Sequence, residues 1–283
     1  MKISAFIPVF NQGSYISKCL NSILAQGIVF DTILIIDDGS NSKKYLNYLG
    51  NLNLSNLRIV ENQKNEGRGF CRNQAFELLS SNFILAVDAS NILPPNYIKT
   101  ALPHFSVKDV SAVSGLINND KCQDGTVYNW RARHLFKQSH DFGNTPEFAK
   151  SLTTYATVFR RSSVMKVGNF DTTLKHSEDK DLGMRLLHAG YKIIGDPNLV
   201  VYSIKNDSVI SVLERYWRWY GGEDESMSFY DYLNAIKASI KPMIQLDLKS
   251  NDWRTAFISF LCPHYGYIRF LYRKITGKLQ KTY

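Results

Sequence analysis

Phe83-Ile84-Leu85-Ala86-Val87-Asp88-Ala89-Ser90-Asn91 is the stretch whose reading decides the fold of this chain. Five apolar residues run into a single carboxylate, and Ile92-Leu93-Pro94-Pro95 follows at once. The run has the length and composition of a buried strand, and the two prolines, which offer no amide donor, prevent its continuation. Taken alone, Asp88 reads equally as a turn residue. Open α/β sheets, however, bind ligands outside the carboxyl ends of their strands, and this carboxylate falls there.

Outward from that point, the first half of the chain alternates strand and helix patterns. Ile3 to Val9 reads as a short buried strand, and Ser14 as the cap of a helix carrying Ile16, Leu20, Ile23 and Leu24 on one face. Thr32 to Ile36 is a second strand ending in Asp37-Asp38-Gly39-Ser40, and Leu57 to Val60 a third. Helical spacing of Cys71, Ala75, Leu78 and Leu79 then leads back to the opening strand. Strands separated by helices predict an α/β fold whose mostly parallel, Rossmann-like sheet is flanked by helices. Polar residues gather at the carboxyl ends: Pro8-Val9-Phe10-Asn11, then Asp38, then Asp88. Singly, Asn11 and Ser14 read as caps, Asp38-Gly39 as a turn and Arg72 as a solvated helix charge. Their coincidence at one sheet edge points to a crevice in which a nucleotide can lie. No GxGxxG or GxxxxGK[ST] pattern is present, so neither a dinucleotide fold nor a P-loop is supported. Asn65-Glu66-Gly67-Arg68-Gly69 is a glycine-bearing basic loop able to approach a diphosphate.

Composition bounds the partners. The 283 residues suit one large domain or a domain with an appendage, and the net charge of +9 fits an anionic partner. Nucleotide, phospholipid surface and nucleic acid all qualify; the excess gathers late, at Arg269, Arg273, Lys274, Lys278 and Lys281. No apolar run of about 18 residues suggests a membrane span. The first residues read as a strand in place of a signal peptide, which predicts a cytoplasmic protein. Cys19, Cys71, Cys122 and Cys262 are scattered with no CxxC pair, the pattern of idle buried thiols.

In the second half, Ser177 is positioned to cap a helix with Leu182, Leu186 and Leu187 on one face and Gly190 at its end. Glu178, Asp179 and Asp181 then sit in its first turn, where the helix dipole favours negative charge. The same dipole lowers a carboxylate's pKa, so a base at this place needs compensating burial.

Taken together, Ile7-Pro8-Val9-Phe10-Asn11, Ile36-Asp37-Asp38-Gly39-Ser40, Asn65-Glu66-Gly67 with Arg72-Asn73, and Val87-Asp88-Ala89-Ser90 resemble family 2 glycosyltransferases, in that family's order and spacing. Phe170-Asp171, Ser177-Glu178-Asp179-Lys180-Asp181-Leu182, Arg185-Leu186 and Ala189-Gly190-Tyr191 resemble its acceptor-side segment, so the likeness covers about residues 1 to 205. The resemblance implies a GT-A fold, a nucleotide-sugar donor (usually UDP-linked) and an inverting transfer assisted by a divalent cation, Mn²⁺ or Mg²⁺. By that analogy Pro8, Phe10 and Asp38 border the donor's base and ribose. Arg72 lies near the nucleotide, Asp88 is the first acid of the DxD element and the candidate metal ligand, and Val9, Asn11, Gly67, Ala89 and Ser90 complete the donor-binding set. Asp179 is the base that takes the acceptor's proton, with Glu178 in reserve.

The chain departs from the family pattern in two places. Ser90 stands where the second acid of DxD is usual, and Ser203 where a histidine often follows the next strand. A hydroxyl is a weaker ligand than a carboxylate for a hard cation, so metal dependence is expected to be weak or absent. Asp207, His176 or Asp171 are the nearby substitutes. These departures also keep open a catalytically degenerate sugar-nucleotide or glycan-binding protein of the same fold.

The expected organisation is a catalytic domain over 1–205, split into a nucleotide-sugar half (1–117) and an acceptor half (118–205), then a helical extension over 206–283. Trp130, Arg131, Arg133, His134, Phe136, His140 and Phe142 mark an excursion that either faces the acceptor or packs internally. Trp130, with Arg218 and Trp219 from a helix beginning near Val209, are the acceptor-side candidates, since aromatic faces stack on sugar rings. The aromatic and basic tail from Tyr230 reads as a closing helix or as a peripheral contact with an anionic membrane bearing a lipid-linked glycan. A nucleic-acid partner is not expected.

Overall fold

A computed structural model describes residues 2–119, 125–137, 145–174, 177–220 and 227–276. Cys122, His140, Phe142, His176, Gly221, Gly222, Lys278 and Lys281 lie outside them. The chain forms two compact units, Met1–Asp120 with Phe142–Lys205, and Lys121–Asp141 with Asn206–Tyr283. Residues 121–141, expected within the acceptor half, thus group with the C-terminal helices.

In the first unit the strands are β1 (Ile3–Val9), β2 (Ile33–Asp37), β3 (Leu57–Glu61), β4 (Phe83–Val87), β5 (Asn91–Ile92), β6 (Val110–Asn119), β7 (Glu147–Phe148), β8 (Ala156–Arg160) and β9 (Lys192–Ser203). They form one sheet in the order β3-β2-β1-β4-β8-β6-β9-β5, with β7 on β9. The helices are, in chain order, α1 (Ile16–Leu24), α2 (Lys44–Gly50), α3 (Arg68–Leu78), α4 (Tyr97–Ala101), α5 (Thr126–His134, in the second unit), α6 (Arg161–Lys166) and α7 (Glu178–His188).

The block β3-β2-β1-β4 is parallel, as the alternation predicts. Beyond it the sheet is mixed, because β8 runs antiparallel to both β4 and β6. Val87 pairs with Ala156, so β8 begins at the edge where β4 ends. Both faces are covered, which is why the inner strands read as near-continuous apolar runs. Ile16, Cys19, Leu20 and Ile23 of α1 pack on Ala5, Ile7, Ile33, Ile35 and Leu85. On the opposite face Phe6, Leu34, Ile36 and Ile84 meet Cys71, Ala75 and Phe76 of α3 and Leu182 and Leu186 of α7. Phe76 is the hub, with ring centroids 6.1 Å from Phe6, 5.5 Å from Phe159 and 5.7 Å from Phe170.

Two capping expectations change. Ser14 lies in a 3-10 turn, Gly13–Tyr15, and makes no cap, so α1 starts at Ile16. Ser177 does precede α7, but at φ 62° its hydroxyl makes no cap bond; its carbonyl accepts the Asp181 N–H at 2.9 Å.

The second unit adds α8 (Val209–Tyr220), α9 (Phe229–Ala238), α10 (Gln245–Lys249) and α11 (Trp253–Thr276) to α5. A π-helical segment, Ser239–Ile244, joins α9 to α10 around Pro242, which cannot donate the bond an α-helix requires. Polar residues organise its interior. Arg131 donates to Asp207 at 2.7 Å, and Arg215 to the other oxygen at 2.8 Å. Asp247 accepts from Arg133, His134 and Ser259. Burial alone raises the Asp247 pKa, but those three bonds outweigh it and hold the carboxyl below its ordinary value.

Candidate active site

The loops after β1 and β2 are stitched to each other. Asn11, at φ 52°, donates its N–H to Ser40 Oγ at 2.9 Å, and its Oδ1 accepts the Asn41 N–H at 2.9 Å. Asp37 is wholly buried and accepts the Ser40 N–H at 2.7 Å and the Tyr45 hydroxyl. Asp38 closes a larger loop, accepting from Asn62 Nδ2 (2.9 Å), the Glu66 N–H (3.0 Å) and the Gly67 N–H (2.9 Å). Two amides of the basic glycine loop, which the sequence presents as able to approach a diphosphate, therefore already face a carboxylate. Gly39 lets this happen: a Cβ there would stand 2.6 Å from the Lys64 carbonyl carbon. Pro8 and Phe10 are half-buried at this rim, whereas the Val9 and Ala89 side chains are in the core and leave only backbone to any ligand. The Val9 carbonyl is itself taken, accepting the Asp38 N–H at 2.8 Å.

Asp88 follows β4 in a tight turn. Its N–H donates to the Tyr155 carbonyl at 3.1 Å and its carbonyl accepts the Asn91 N–H at 2.9 Å. The chain does not stop at this turn, as the prolines suggested. Asn91–Ile92 add to β9, pairing Asn91 with Ser203. Ser90 is buried, and its carbonyl accepts the Ile204 N–H at 2.9 Å, so the two departures from the family pattern are neighbours.

Arg72 ties the two ends of the site together. It is only 2% exposed, on the stripe of α3 that also carries Gly69 and Phe76, and it is not a solvated charge. Its Nη1 donates to Glu178 at the start of α7, and its Nη2 lies 3.4 Å from Asp88 Oδ1. Gly69 permits the approach, since a Cβ there would lie 2.7 Å from the Asp171 carbonyl oxygen. Burial alone disfavours the guanidinium charge, but Glu178, Asp88 and Asp179 restore it, and the net shift is upward.

The three acids of α7's first turn have separate fates. Glu178 is buried against Arg72, and Asp181 pairs at the surface with Arg185 at 2.6 Å. Asp179 is half-buried, and its Oδ1 accepts the adjacent Lys180 N–H at 2.9 Å. Burial pushes its carboxyl above the ordinary value, opposed by Arg72 and assisted by Glu178. The compensating burial that a base at a helix N-terminus requires is present here.

For a divalent cation the donor set is small but chemically suitable. Asp88 is the carboxylate, with a side chain 29% exposed and Oδ2 turned to no protein donor among the described residues. No group of three or more His, Cys, Asp or Glu among the described residues can cage a metal. Asp171 is occupied by Thr173 at 2.7 and 2.8 Å, and Asp207 by two arginines of the other unit. One carboxylate with substrate phosphates and water is a recognised way to hold Mg²⁺. The residues fit a cation that arrives with the donor.

Trp130, expected to offer a stacking face, is instead wholly buried. Its Nε1–H donates to Ser259 at 2.8 Å and its ring packs edge-on to Tyr216, so it belongs to the core of the second unit. On α8, Trp219 is 50% exposed and Arg218 half-buried. Asn62 and Tyr45, which hold Asp38 and Asp37, escaped the sequence reading, and Ser40 was read there only as part of its motif. The buried Cys19, Cys71 and Cys262 have thiols pushed well up by burial, which removes them as nucleophiles.

Comparison with known proteins agrees with this geometry. The model of glycosyl transferase family 2 matches residues 4–169, more than half of the chain. A putative colanic acid biosynthesis glycosyl transferase, WcaA of Escherichia coli, is 27% identical over 65% of this chain and 66% of its own length. Among solved structures, a mannosyltransferase from Pyrobaculum calidifontis, in complex with GDP-Man and Mn²⁺, superposes with a TM-score of 0.60 at 16% identity, over 98% of this chain and 76% of that one. S. aureus TarS 1–349 with UDP-GlcNAc gives 0.57 at 19% identity, over 99% and 77%. The chain spans at most 66% of the length of the first-matched curated relatives.

Proposed function

Because this chain belongs to glycosyl transferase family 2 and has the GT-A fold, we propose that its first unit moves a sugar from a nucleoside diphosphate to a hydroxyl of a glycan or lipid-linked glycan, with inversion. The observation that carries the reading is the convergence of Asp88 and Glu178 on the buried Arg72, with Asp179 the half-exposed acid beside them. Asp179 takes the acceptor proton, the acceptor oxygen bonds to the anomeric carbon, and the bond from that carbon to the diphosphate breaks. Glu178 is spent on Arg72 and serves as a positioning residue. Asn11 and Asp38 shape the seat of the base and ribose, and Asp88 would hold an Mn²⁺ or Mg²⁺ that arrives with the donor. Such a cation supplies positive charge to the departing diphosphate.

A UDP-sugar is the favoured donor and a surface polysaccharide the favoured product class, in line with what TarS binds and how WcaA is named. The acceptor is taken to be presented at an anionic membrane from the cytoplasmic side. The test is transfer from a panel of UDP- and GDP-sugars to glycan acceptors, with product configuration read by NMR. Inverted product, lost in Asp179→Asn, supports the reading; retained configuration overturns it. Donor binding without turnover on any acceptor favours instead a sugar-nucleotide-binding protein, the reading to which Ser90 and Ser203 point.

A further inference from the structure

Helix α11 has two apolar faces. One is buried, through Ala256, Ile258, Cys262, Pro263 and Gly266, the last of these set against Trp217. The other is Trp253, Phe257, Phe260, Ile268, Leu271 and Ile275, spaced by three, four, seven and eight residues so that all six fall on one stripe. Each is exposed, with Trp253 at 70%, Ile268 at 64% and Ile275 at 82%. The neighbouring α9 extends the same surface. Tyr232 stacks on Tyr267 at 4.3 Å and bonds to His264 at 2.7 Å, and exposed Phe229 and Leu233 flank it. An outward apolar stripe of this extent, interrupted only at His264 where Tyr232 of α9 packs on it, is unusual on a soluble helix and marks an interaction surface.

Charge selects the partner. From Phe229 to Thr276 the exposed charges are Lys237, Lys241, Lys249, Arg254 and Lys274, against one exposed acid, Asp231, which is bound to Ser228 at the start of α9. The other two acids are withdrawn from the surface: Asp247 is wholly buried, and half-buried Asp252 lies 3.9 Å from Arg133. Arg254 and Lys274 lie on either side of the stripe at 100° per residue. A cationic rim around an apolar, aromatic stripe is the pattern of a helix lying in the plane of an anionic bilayer. No helix of the described residues is long and apolar enough to cross a membrane.

We propose that the α9–α11 face of the second unit docks on an anionic lipid surface, with the α11 stripe in the headgroup boundary. This deepens the membrane element of the function proposed above, yet it stands on separate residues. The experiment is co-sedimentation of the full chain with phosphatidylcholine vesicles with and without phosphatidylglycerol, using the wild type, Phe257→Ser/Ile268→Ser and Arg254→Glu/Lys274→Glu. The expected result is binding to the anionic vesicles only, weakened at least about tenfold by either double change and by high salt. Circular dichroism verifies that both variants, altered only at the surface, remain folded. Absence of binding to anionic vesicles, or equal binding to neutral ones, overturns the proposal. So does a wild-type dimer in light scattering that the Phe257/Ile268 change dissociates, because the stripe is then a contact between copies. Transfer to a soluble acceptor remains unchanged in both variants. If transfer is absent while vesicle binding persists, the catalytic reading fails and the docking surface stands.

Discussion

Each unit buries an arginine with its carboxylates, and the two clusters are built in opposite ways. In the second unit Asp207 is held between Arg131 and Arg215, and the side chains of both Arg131 and Asp207 are 0% exposed. In the first unit one guanidinium, Arg72, faces Glu178, Asp88 and the field of Asp179, and Asp88 stays 29% exposed. A sealed ion pair adds little net stability but is costly to break, because the surviving charge is left without its partner. That describes Arg131–Asp207. An open cluster with more acid than base gains nothing as scaffold; its surplus carboxylates remain available to a proton, a cation or a substrate.

The sharpest way to break this contrast is to neutralise one acid in each cluster. Asp179→Asn is expected to lower transfer by about 10²–10⁴-fold, the range of a lost general base, without loss of thermal stability. The sign follows from its raised pKa. A carboxyl held above its unfolded value of about 3.9 costs the fold stability once the pH passes that value, so an uncharged Asn leaves the melting temperature at neutral pH equal or higher. Asp207→Asn should do the reverse, lowering the melting temperature while the remaining folded enzyme turns over normally.

Removing the arginines tests the shared property. Arg72→Met and Arg131→Met should each cost about 3–5 kcal/mol in denaturant unfolding, since both strand buried acids. A smaller effect separates Glu178 from Asp179. Glu178 raises the Asp179 pKa, so Glu178→Gln should move the acidic limb of the pH–rate profile to lower pH. An unmoved limb means that another group titrates there. The smallest effect concerns the cation: with one carboxylate to hold it, chelation should change the rate by less than about tenfold, and a larger Mn²⁺-restored loss would show that Asp88 suffices.

Much of the first unit was legible because a strand covered on both faces must be largely apolar, and β1, β2 and β4 are, with Ser4 and Asp37 the only polar residues among them. Asp38 and Asp88 stood out as acids at the ends of such strands, and Asp179 as an acid in the first turn of a helix. Strand direction was not legible: nothing in Ala156–Arg160 distinguishes a parallel from an antiparallel neighbour, so the mixed half of the sheet could not be read. The bond from Arg72 to Glu178 joins residues 106 apart and leaves no local pattern beyond a charge on the apolar stripe of α3. Trp130 misled for a related reason. Aromatic and basic residues together suit sugar stacking and internal packing alike, and the partner that decides, Ser259, is 129 residues away.

The Asp38 carboxylate has a consequence for how the rim of the crevice breathes. Surface loops ordinarily exchange their amide hydrogens through small local openings. The amides of Glu66 and Gly67 are fastened to an acid at the end of β2 that is 4% exposed, and Asn62 secures the same group. Exchange at those two positions should therefore be slow and track the opening of the central strands. A loop that looks peripheral in sequence then belongs, in kinetic terms, to the last part of the unit to unfold.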